Sequence, residues 1–323
     1  MQTNTTAQQT SLADALARAT ATVNSQDQQA ATLARWALED HLDEIRFKKL
    51  CEAERAAERA HLRAHTLPSM HGHSYLASPL LLVTPVFSIA RRVGNESVHV
   101  DQTFEANGRG TVRYVGPRLS QSHQTLLFSL LKSHAGRLVW EPIYLTCRQL
   151  LAAMAWGDSP QNRARLRELL DDLHHAHLRL WHTGSNELED AVRTTVIAEW
   201  QPSSDETAAW RIQLSPTAVN LFSYKQPTYL DMHQRGYLRE GLATFLHGFI
   251  AANDCSYAYR LSYLQQQSGS TAKGGDDFLK QLKGVLQQLQ IMGVIAGYTT
   301  SRGQVKIEKT APAPKTVKKS RKK

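Results

Sequence analysis

The chain contains little cysteine, and its cysteines lie far apart. Three occur in 323 residues, at Cys51, Cys147 and Cys255. Because they are odd in number and form no CxxC pair, neither a disulfide framework nor a cysteine-based zinc site is predicted. We expect a protein of a reducing, cytoplasmic compartment.

Long apolar runs are lacking as well. No stretch approaches the roughly 18 consecutive apolar residues that a membrane helix requires. The first ten residues are rich in Gln and Thr and have neither the basic start nor the apolar region of a secretory signal. The sequence therefore predicts neither a membrane span nor secretion.

Motifs of phosphate and nucleotide chemistry are also missing. The segment Gly269–Gly275 contains glycines and Lys273, but it lacks the spacing of a phosphate-binding loop and the Ser or Thr that follows its lysine. No GxGxxG motif follows a predicted strand. We expect neither an enzyme nor a cofactor-binding protein.

Two groups of histidines are candidate metal ligands. His71-Gly-His73 is similar to the paired histidines of rolling-circle nucleases, but it lies in a proline-flanked loop rather than on an apolar strand. The second group, His174, His175 and His177, has no carboxylate or cysteine nearby to complete a ligand set. Histidines at the end of a helix are favoured by the helix dipole, so no metal site is predicted.

The chain has a globular composition, with 41% apolar and 21% charged residues, and is long enough for two domains. Its formal charge of +9 is unevenly placed. The seven basic residues from Lys309 onward, with no acid among them, contribute +7, so residues 1–308 carry only +2. We expect residues 310–323 to be a disordered basic tail that either binds polyanions weakly or keeps the chain soluble. The high isoelectric point alone therefore does not indicate DNA binding.

Apolar periodicity and turn residues divide the rest of the chain. Residues 1–67 are predicted to form a helical N-terminal extension, and residues 68–110 an irregular connector containing several prolines and glycines. A short strand over 111–115 opens the first domain, 111–215. Its helices are expected at 120–133, 147–155 and 160–175, and its β-prone segments at 178–181, 193–200 and 210–214.

A similar order recurs in the second domain, 216–309. Helices are expected at 237–252, 258–267 and 276–290, followed by a hairpin of 294–300 and 304–309. Three helices and a β-hairpin, occurring twice, predict two tandem winged-helix domains. The predicted fold class is α+β, mostly helical.

In a helix-turn-helix, residues near the start of the second helix of the pair reach base edges in the major groove. In the first domain these are Gln161 and Asn162, which suit adenine, and Arg163 and Arg165, which suit guanine. An ordinary basic surface helix is the alternative. In the second domain the predicted DNA-binding residues lie just ahead of the third helix, on that helix, and on the hairpin that follows it: Lys273, Lys280, Gln281, Lys283, Arg302 and Lys306.

Four segments resemble the TrfA-type plasmid replication initiators. They are an apolar segment that ends in two arginines, a strand and turn, an interdomain segment, and the last helix with the strand after it: Leu80–Arg92, Val112–Ser120, Leu214–Phe222 and Phe278–Ile295. The resemblance covers roughly residues 80–308 and leaves the N-terminal extension outside.

The resemblance implies a bacterial cytoplasmic protein that binds repeated origin sequences (iterons) and opens adjacent A·T-rich DNA. It also implies contacts with the host's replicative helicase, initiator and polymerase clamp. The family's clamp-binding pentapeptide is similar to Gln124-Thr-Leu-Leu-Phe128, which lacks the second-position leucine. The same residues fit a helix core, and that interpretation is favoured.

Two other functions compete with initiation. A winged-helix transcription regulator would use the same body, although regulators usually pair one such domain with a dimerisation or ligand module. A nicking enzyme would use His71 and a metal ion. Whether the chain is a monomer or a dimer on DNA is left open.

Overall fold

A computed structural model describes residues 66–67, 70–90, 99–106, 108–182, 192–203, 207–216, 218 and 228–310, with positions 41, 45, 48, 49 and 52. The chain divides into two compact units, Met1–Ala64 and His65–Lys323. In the first unit the five described positions are all helical. Most of the predicted extension and residues 311–323 of the predicted tail lie outside the described residues.

The second unit mixes helices and strands, so the fold is α+β. The described helices are α1 Pro79–Val83, α2 Gln121–His134, α3 Cys147–Ala153, α4 Pro160–His174, α5 Met232–Gly236, α6 Leu242–Ala252, α7 Leu261–Ser268 and α8 Gly275–Ile291. The described strands are β1 Ser74–Ala77, β2 Phe87–Ser88, β3 His99–Glu105, β4 Gly110–Pro117, β5 Leu119–Ser120, β6 Ile143–Thr146, β7 His177–His182, β8 Val192–Thr195, β9 Ile197–Gln201, β10 Ala209–Leu214, β11 Thr228–Asp231, β12 Tyr259–Arg260, β13 Ile295–Ser301 and β14 Gln304–Lys309.

The first half of this unit, 121–214, runs helix α2, strand β6, helices α3 and α4, then strands β9 and β10. Its three-stranded sheet has the order β6-β10-β9. Local chemistry sets the helix starts. The Thr146 side chain accepts a hydrogen bond from the Gln149 backbone, and Ser159 caps α4 ahead of Pro160 at its first position.

The second half, 242–309, repeats this order with α6, β12, α7, α8, β13 and β14. Its sheet has the order β12-β14-β13, so the third strand again lies between the other two. The predicted helix over 237–252 begins only at Leu242, because Gly241 has a φ of 116° and interrupts it. A short helix, α5, precedes that break.

The expectation of an irregular connector at 68–110 is wrong. This segment contains β1, α1, β2 and β3, and the side chains from Leu80 to Val83 are buried in the core. The prediction was wrong because proline and glycine also occur at the ends of regular helices and strands. Pro79 occupies the first turn of α1, where its missing N–H is no loss, and Gly108 lies in the turn between β3 and β4.

The three β-prone segments predicted for the first domain do not all belong to one β-hairpin. Residues 177–182 form β7, which joins a four-stranded sheet of order β3-β4-β7-β8. The segment predicted over 193–200 is divided at Val196 between β8 of that sheet and β9 of the other. Strand propensity marks where a strand lies but does not identify its partner.

The segment before the first half also fastens the two halves together. Strand β1 pairs antiparallel with β11, which leads into the second half. Helix α1 packs against α6 so closely that a Cβ on Gly248 would lie 2.9 Å from Leu82 Cδ2. The two halves are therefore parts of one compact unit.

Candidate nucleic-acid interface

Helix α8 presents one apolar face and one polar face. It buries Phe278, Leu282, Leu286 and Leu289 completely, at positions that recur every three or four residues. Asp276 and Asp277 occupy its first turn, where carboxylates suit the positive end of the helix dipole. The opposite face is left to solvent.

The predicted DNA-binding residues of the second half lie on α8, on the loop directly before it and on the adjoining hairpin. All six are exposed: Lys273, Lys280, Gln281, Lys283, Arg302 and Lys306. Among the residues that the structure describes, none of the five cations forms an ion pair or a side-chain hydrogen bond. Unpaired cations beside exposed glutamines suit a polyanion whose bases offer hydrogen bonds.

The hairpin between β13 and β14 carries backbone strain at its tip. Ser301 pairs with Gln304, so Arg302 and Gly303 form a two-residue loop with φ of 49° and 72°. Two positive φ values define a type I′ turn, for which Asn-Gly is the preferred pair. An arginine at the first position is disfavoured by its Cβ, so its side chain is retained at some loss of local stability.

In the first half, α4 is amphipathic as predicted, with Leu166, Leu169, Leu170 and Leu173 buried. Its predicted base-contacting residues differ in what they touch. Gln161 is exposed. Asn162 Nδ2 donates to the Gly157 carbonyl at 2.8 Å, which closes the start of the helix.

Two of the three arginines of α4, Arg163 and Arg165, form polar contacts within the chain. Arg163 Nε lies 2.6 Å from Asp158 Oδ1, and this hydrogen bond holds the pKa of the carboxyl below its ordinary value. Arg165 Nη2 lies 3.0 Å from Glu240 Oε2, and its guanidinium carbon is 4.3 Å from the ring centroid of Trp156. Arg165 thus links α4 to the segment that leads into the second half.

Glu240 is itself held from two sides. Burial alone would raise the pKa of its carboxyl, but hydrogen bonds from Ser122 and the charge of Arg165 lower it below the ordinary value. Ser122 lies in α2 and Glu240 just before α6, so this carboxylate joins both halves.

A buried arginine lies beside this contact. Arg235 is 2% exposed and donates to Thr125 Oγ1 at 3.0 Å, to Gln121 Oε1 at 3.0 Å, to Gln124 Oε1 at 2.9 Å and to the Thr244 carbonyl at 2.7 Å. Burial lowers its pKa to about 9, so the guanidinium stays protonated at neutral pH. Its partners come from α2 and α6, and none of these four is a carboxylate.

The pentapeptide considered for clamp binding belongs to the same region. Gln124 is 2% exposed, and Leu126, Leu127 and Phe128 are also buried. Since Gln124 accepts from Arg235, the polar end of the segment is occupied as well. In this conformation four of the five side chains of the segment are buried in the core, and Thr125 is partly exposed.

The histidines do not form a metal site in the described part of the chain. No group of three or more His, Cys, Asp or Glu there could hold a metal ion. His73 lies against His233, with ring centroids 4.9 Å apart. His174 and His175 each lie within hydrogen-bond distance of a backbone carbonyl, those of Ile197 and Asp171.

Several residues in these regions were not predicted from the sequence. Arg235 and Glu240 gave no local pattern, because all of their partners except Thr244 are more than 70 residues away. Gly284 did give one. It is a glycine inside an amphipathic helical pattern, which is unusual enough to suggest a packing or functional cause.

None of the helices described is long and apolar enough to cross a membrane. The sequence matches no protein-family model and no curated protein. Similar solved structures include two of domains 2 and 3 of RctB. One has 14% identity and a TM-score of 0.49 over 73% of this chain and 100% of that chain. The other has 13% identity and a TM-score of 0.45 over 71% of this chain and 96% of that chain. Values at this level describe a partial likeness of the backbone path and give no information on what this chain binds.

Proposed function

We propose that this chain is a sequence-specific double-stranded-DNA-binding protein, with two tandem winged-helix domains, that initiates replication of a bacterial plasmid. The DNA-binding part of the proposal depends mainly on one observation. Five exposed cations without ion pairs among the described residues lie on α8, on the loop directly before it and on its hairpin, beside exposed glutamines. The repeated element order and the shared sheet order support the winged-helix assignment.

In the proposed complex α8 enters the major groove. Lys280 and Gln281 contact base edges from its outward face, and Lys273 and Lys283 contact phosphates. Arg302, at the hairpin tip, reaches a phosphate or the adjacent minor groove. The strained backbone at Arg302 fits a side chain that is kept for such a contact.

Helix α4 has a different part in the proposal. Asn162 and Arg163 bind the loop directly before α4, and Arg165 binds Glu240 ahead of the second half, so we assign α4 mainly a structural role. Gln161 is exposed and, among the described residues, forms no side-chain hydrogen bond or ion pair. We therefore assign most of the sequence discrimination to the second half.

The choice of initiator over transcription regulator depends on the four segments that resemble TrfA-type initiators and on the tandem arrangement. The proposed initiator function includes binding to iterons, opening of A·T-rich DNA, and recruitment of the host helicase and initiator in the cytoplasm. The buried pentapeptide gives no support to a clamp contact. The proposal includes no catalysis and no cofactor.

A footprint on the replicon that encodes the chain tests this function. The full chain is bound at physiological salt with excess competitor DNA. Protection of several direct repeats supports the initiator, whereas one protected palindrome at a promoter supports a regulator. Metal-dependent cleavage of single strands, abolished by His71→Ala, would replace both with a nicking enzyme.

A further inference from the structure

Helix α8 has a glycine at its centre. Gly284 is the tenth of its 17 residues, between the buried Leu282 and Leu286. Apart from proline, glycine is the poorest helix former, because it loses the most backbone freedom when the helix forms. A glycine here therefore weakens the longest described helix.

The interior of the chain offers no reason for this glycine. A Cβ built on Gly284 meets nothing within 4 Å, and its φ is not positive. Gly248 of α6 is a contrast, since a Cβ there would lie 2.9 Å from the Leu82 side chain. Among the described residues, neither packing nor backbone conformation requires glycine at 284.

Gly284 lies in the middle of the outward polar face. Lys280 is one turn before it, and Gln287 and Gln288 are one turn after it. From Lys280 to Gln287 the helix rises about 10 Å, close to three base-pair steps of duplex DNA. Gly284, which has no side chain, thus separates Lys280 from Gln287 and Gln288, whose side chains can all donate hydrogen bonds.

We propose that Gly284 is the point where α8 lies closest to the floor of the major groove, which makes it a specificity-determining residue. Lys280 and Gln281 then contact base pairs on one side, and Gln287 and Gln288 contact base pairs on the other. The missing Cβ lets the helix axis approach until both groups reach. This inference rests on the proposed DNA-binding function and adds Gln287 and Gln288 to the interface.

The same glycine also borders an open groove between α8 and α5. Tyr237 and Ile291, 68% and 80% exposed, line that groove with His233. A protein seated in the groove would equally require a small residue at position 284. The polar residues on both sides of Gly284 favour DNA, and the experiment separates the two.

The test compares Gly284→Ala and Gly284→Leu with Gly236→Ala in the full chain. Gly236 lies in α5, and a Cβ there also meets nothing within 4 Å. Melting temperature and affinity are measured for each variant, on a duplex carrying the footprinted site and on an unrelated duplex of equal length. Lys280→Ala serves as the binding-defective reference.

The proposal predicts opposite signs for stability and binding. Gly284→Ala should raise the melting temperature by roughly 2–4 °C. It should also weaken binding to the specific site at least about fivefold, while unrelated DNA is bound nearly as before. Gly284→Leu should weaken specific binding further, and Gly236→Ala should not change it.

Unchanged specific affinity in both Gly284 variants, with Lys280→Ala defective, would overturn this inference and leave the DNA-binding function standing. If Lys280→Ala also binds normally, α8 is not the base-contacting helix and the inference fails with that assignment, whereas the proposed function itself fails only if the parent chain does not prefer the specific duplex.

Discussion

The two halves of the larger unit have the same element order, but the polar faces of their long helices are used differently. In α4 two of the three arginines bind carboxylates of the chain, Arg163 that of Asp158 and Arg165 that of Glu240. In α8, Lys280 and Lys283 are exposed and have no ion pair among the described residues. A cation that already has a carboxylate must give up that contact to bind phosphate or a base. The difference therefore points to a structural role for α4 and a DNA-binding role for α8.

The junction between the halves should show the largest effect. Arg235→Ala leaves the acceptors on Gln121, Gln124 and Thr244 buried without their donor. We expect the free energy of unfolding to fall by about 3–5 kcal/mol, measured by urea denaturation. Arg239→Ala, an exposed neighbour, is the control and should change it by less than about 0.5 kcal/mol. A similar small change for Arg235→Ala would show that the junction is not held in this way.

Acid should loosen both halves through a buried histidine in the first helix of each. Burial, and then the charge of Arg235, lower the pKa of His247 in α6 to about 4 from 6.5. Burial also lowers the pKa of His134 in α2. A folded-state pKa below the unfolded value means that the stabilisation is present above pH 6.5 and is lost as the pH falls towards 4.

For His247 the lost stability amounts to roughly 3 kcal/mol. Denaturation at a series of pH values should therefore show a flatter profile between pH 6.5 and 4 for His247→Leu than for the parent chain. His71→Ala, at an exposed position, is the control and should leave the slope unchanged. Equal slopes in the His247 variant and the parent would contradict the prediction.

The comparison of helices is tested most simply by one substitution in each. Lys280→Ala should weaken specific DNA binding by about 1–3 kcal/mol, with relaxed discrimination at the base that it contacts. Arg163→Ala should change DNA affinity by less than about twofold, because its guanidinium is engaged with Asp158. The measurement is a mobility-shift titration at fixed salt. Comparable losses of DNA affinity in both variants would show that α4 also contacts DNA, so the proposed difference between the two helices would be wrong.

The smallest expected effect is at the hairpin tip. Arg302→Asn places a preferred residue at a φ of 49°, so we expect the free energy of unfolding to rise by about 1 kcal/mol. DNA affinity should fall for all sequences alike, and the salt dependence should decrease by about one phosphate contact. Arg302→Lys keeps the charge and the strain, so it should retain binding without gaining stability. Full affinity in Arg302→Asn would remove Arg302 from the interface.

Local patterns predicted the helices of both halves well. Helix α8 was expected over 276–290 and spans Gly275–Ile291, because apolar residues at helical spacing and Gly293 mark it within a single stretch of sequence. The exposure of Lys280 and the hairpin position of Arg302 follow from the same patterns. Spacing along one element is enough to say which residues face outward.

Long-range contacts could not be predicted in this way. Strand β1 pairs with β11 more than 150 residues later, and nothing in either sequence names the other. For the same reason the sequence does not show that Arg165, a predicted DNA-binding residue, has Glu240 as a partner 75 residues away. The sequence showed that α4 carries cations, and only the fold showed that two of them are occupied.

Photo-crosslinking tests the central claim most directly. A photoreactive amino acid is placed at position 280 in one variant and at position 161 in another, and each full chain is irradiated on the footprinted duplex. We predict crosslinks to bases from position 280 and none from position 161. Crosslinks from position 161 alone would contradict the account, because the first half would then be the part that contacts bases.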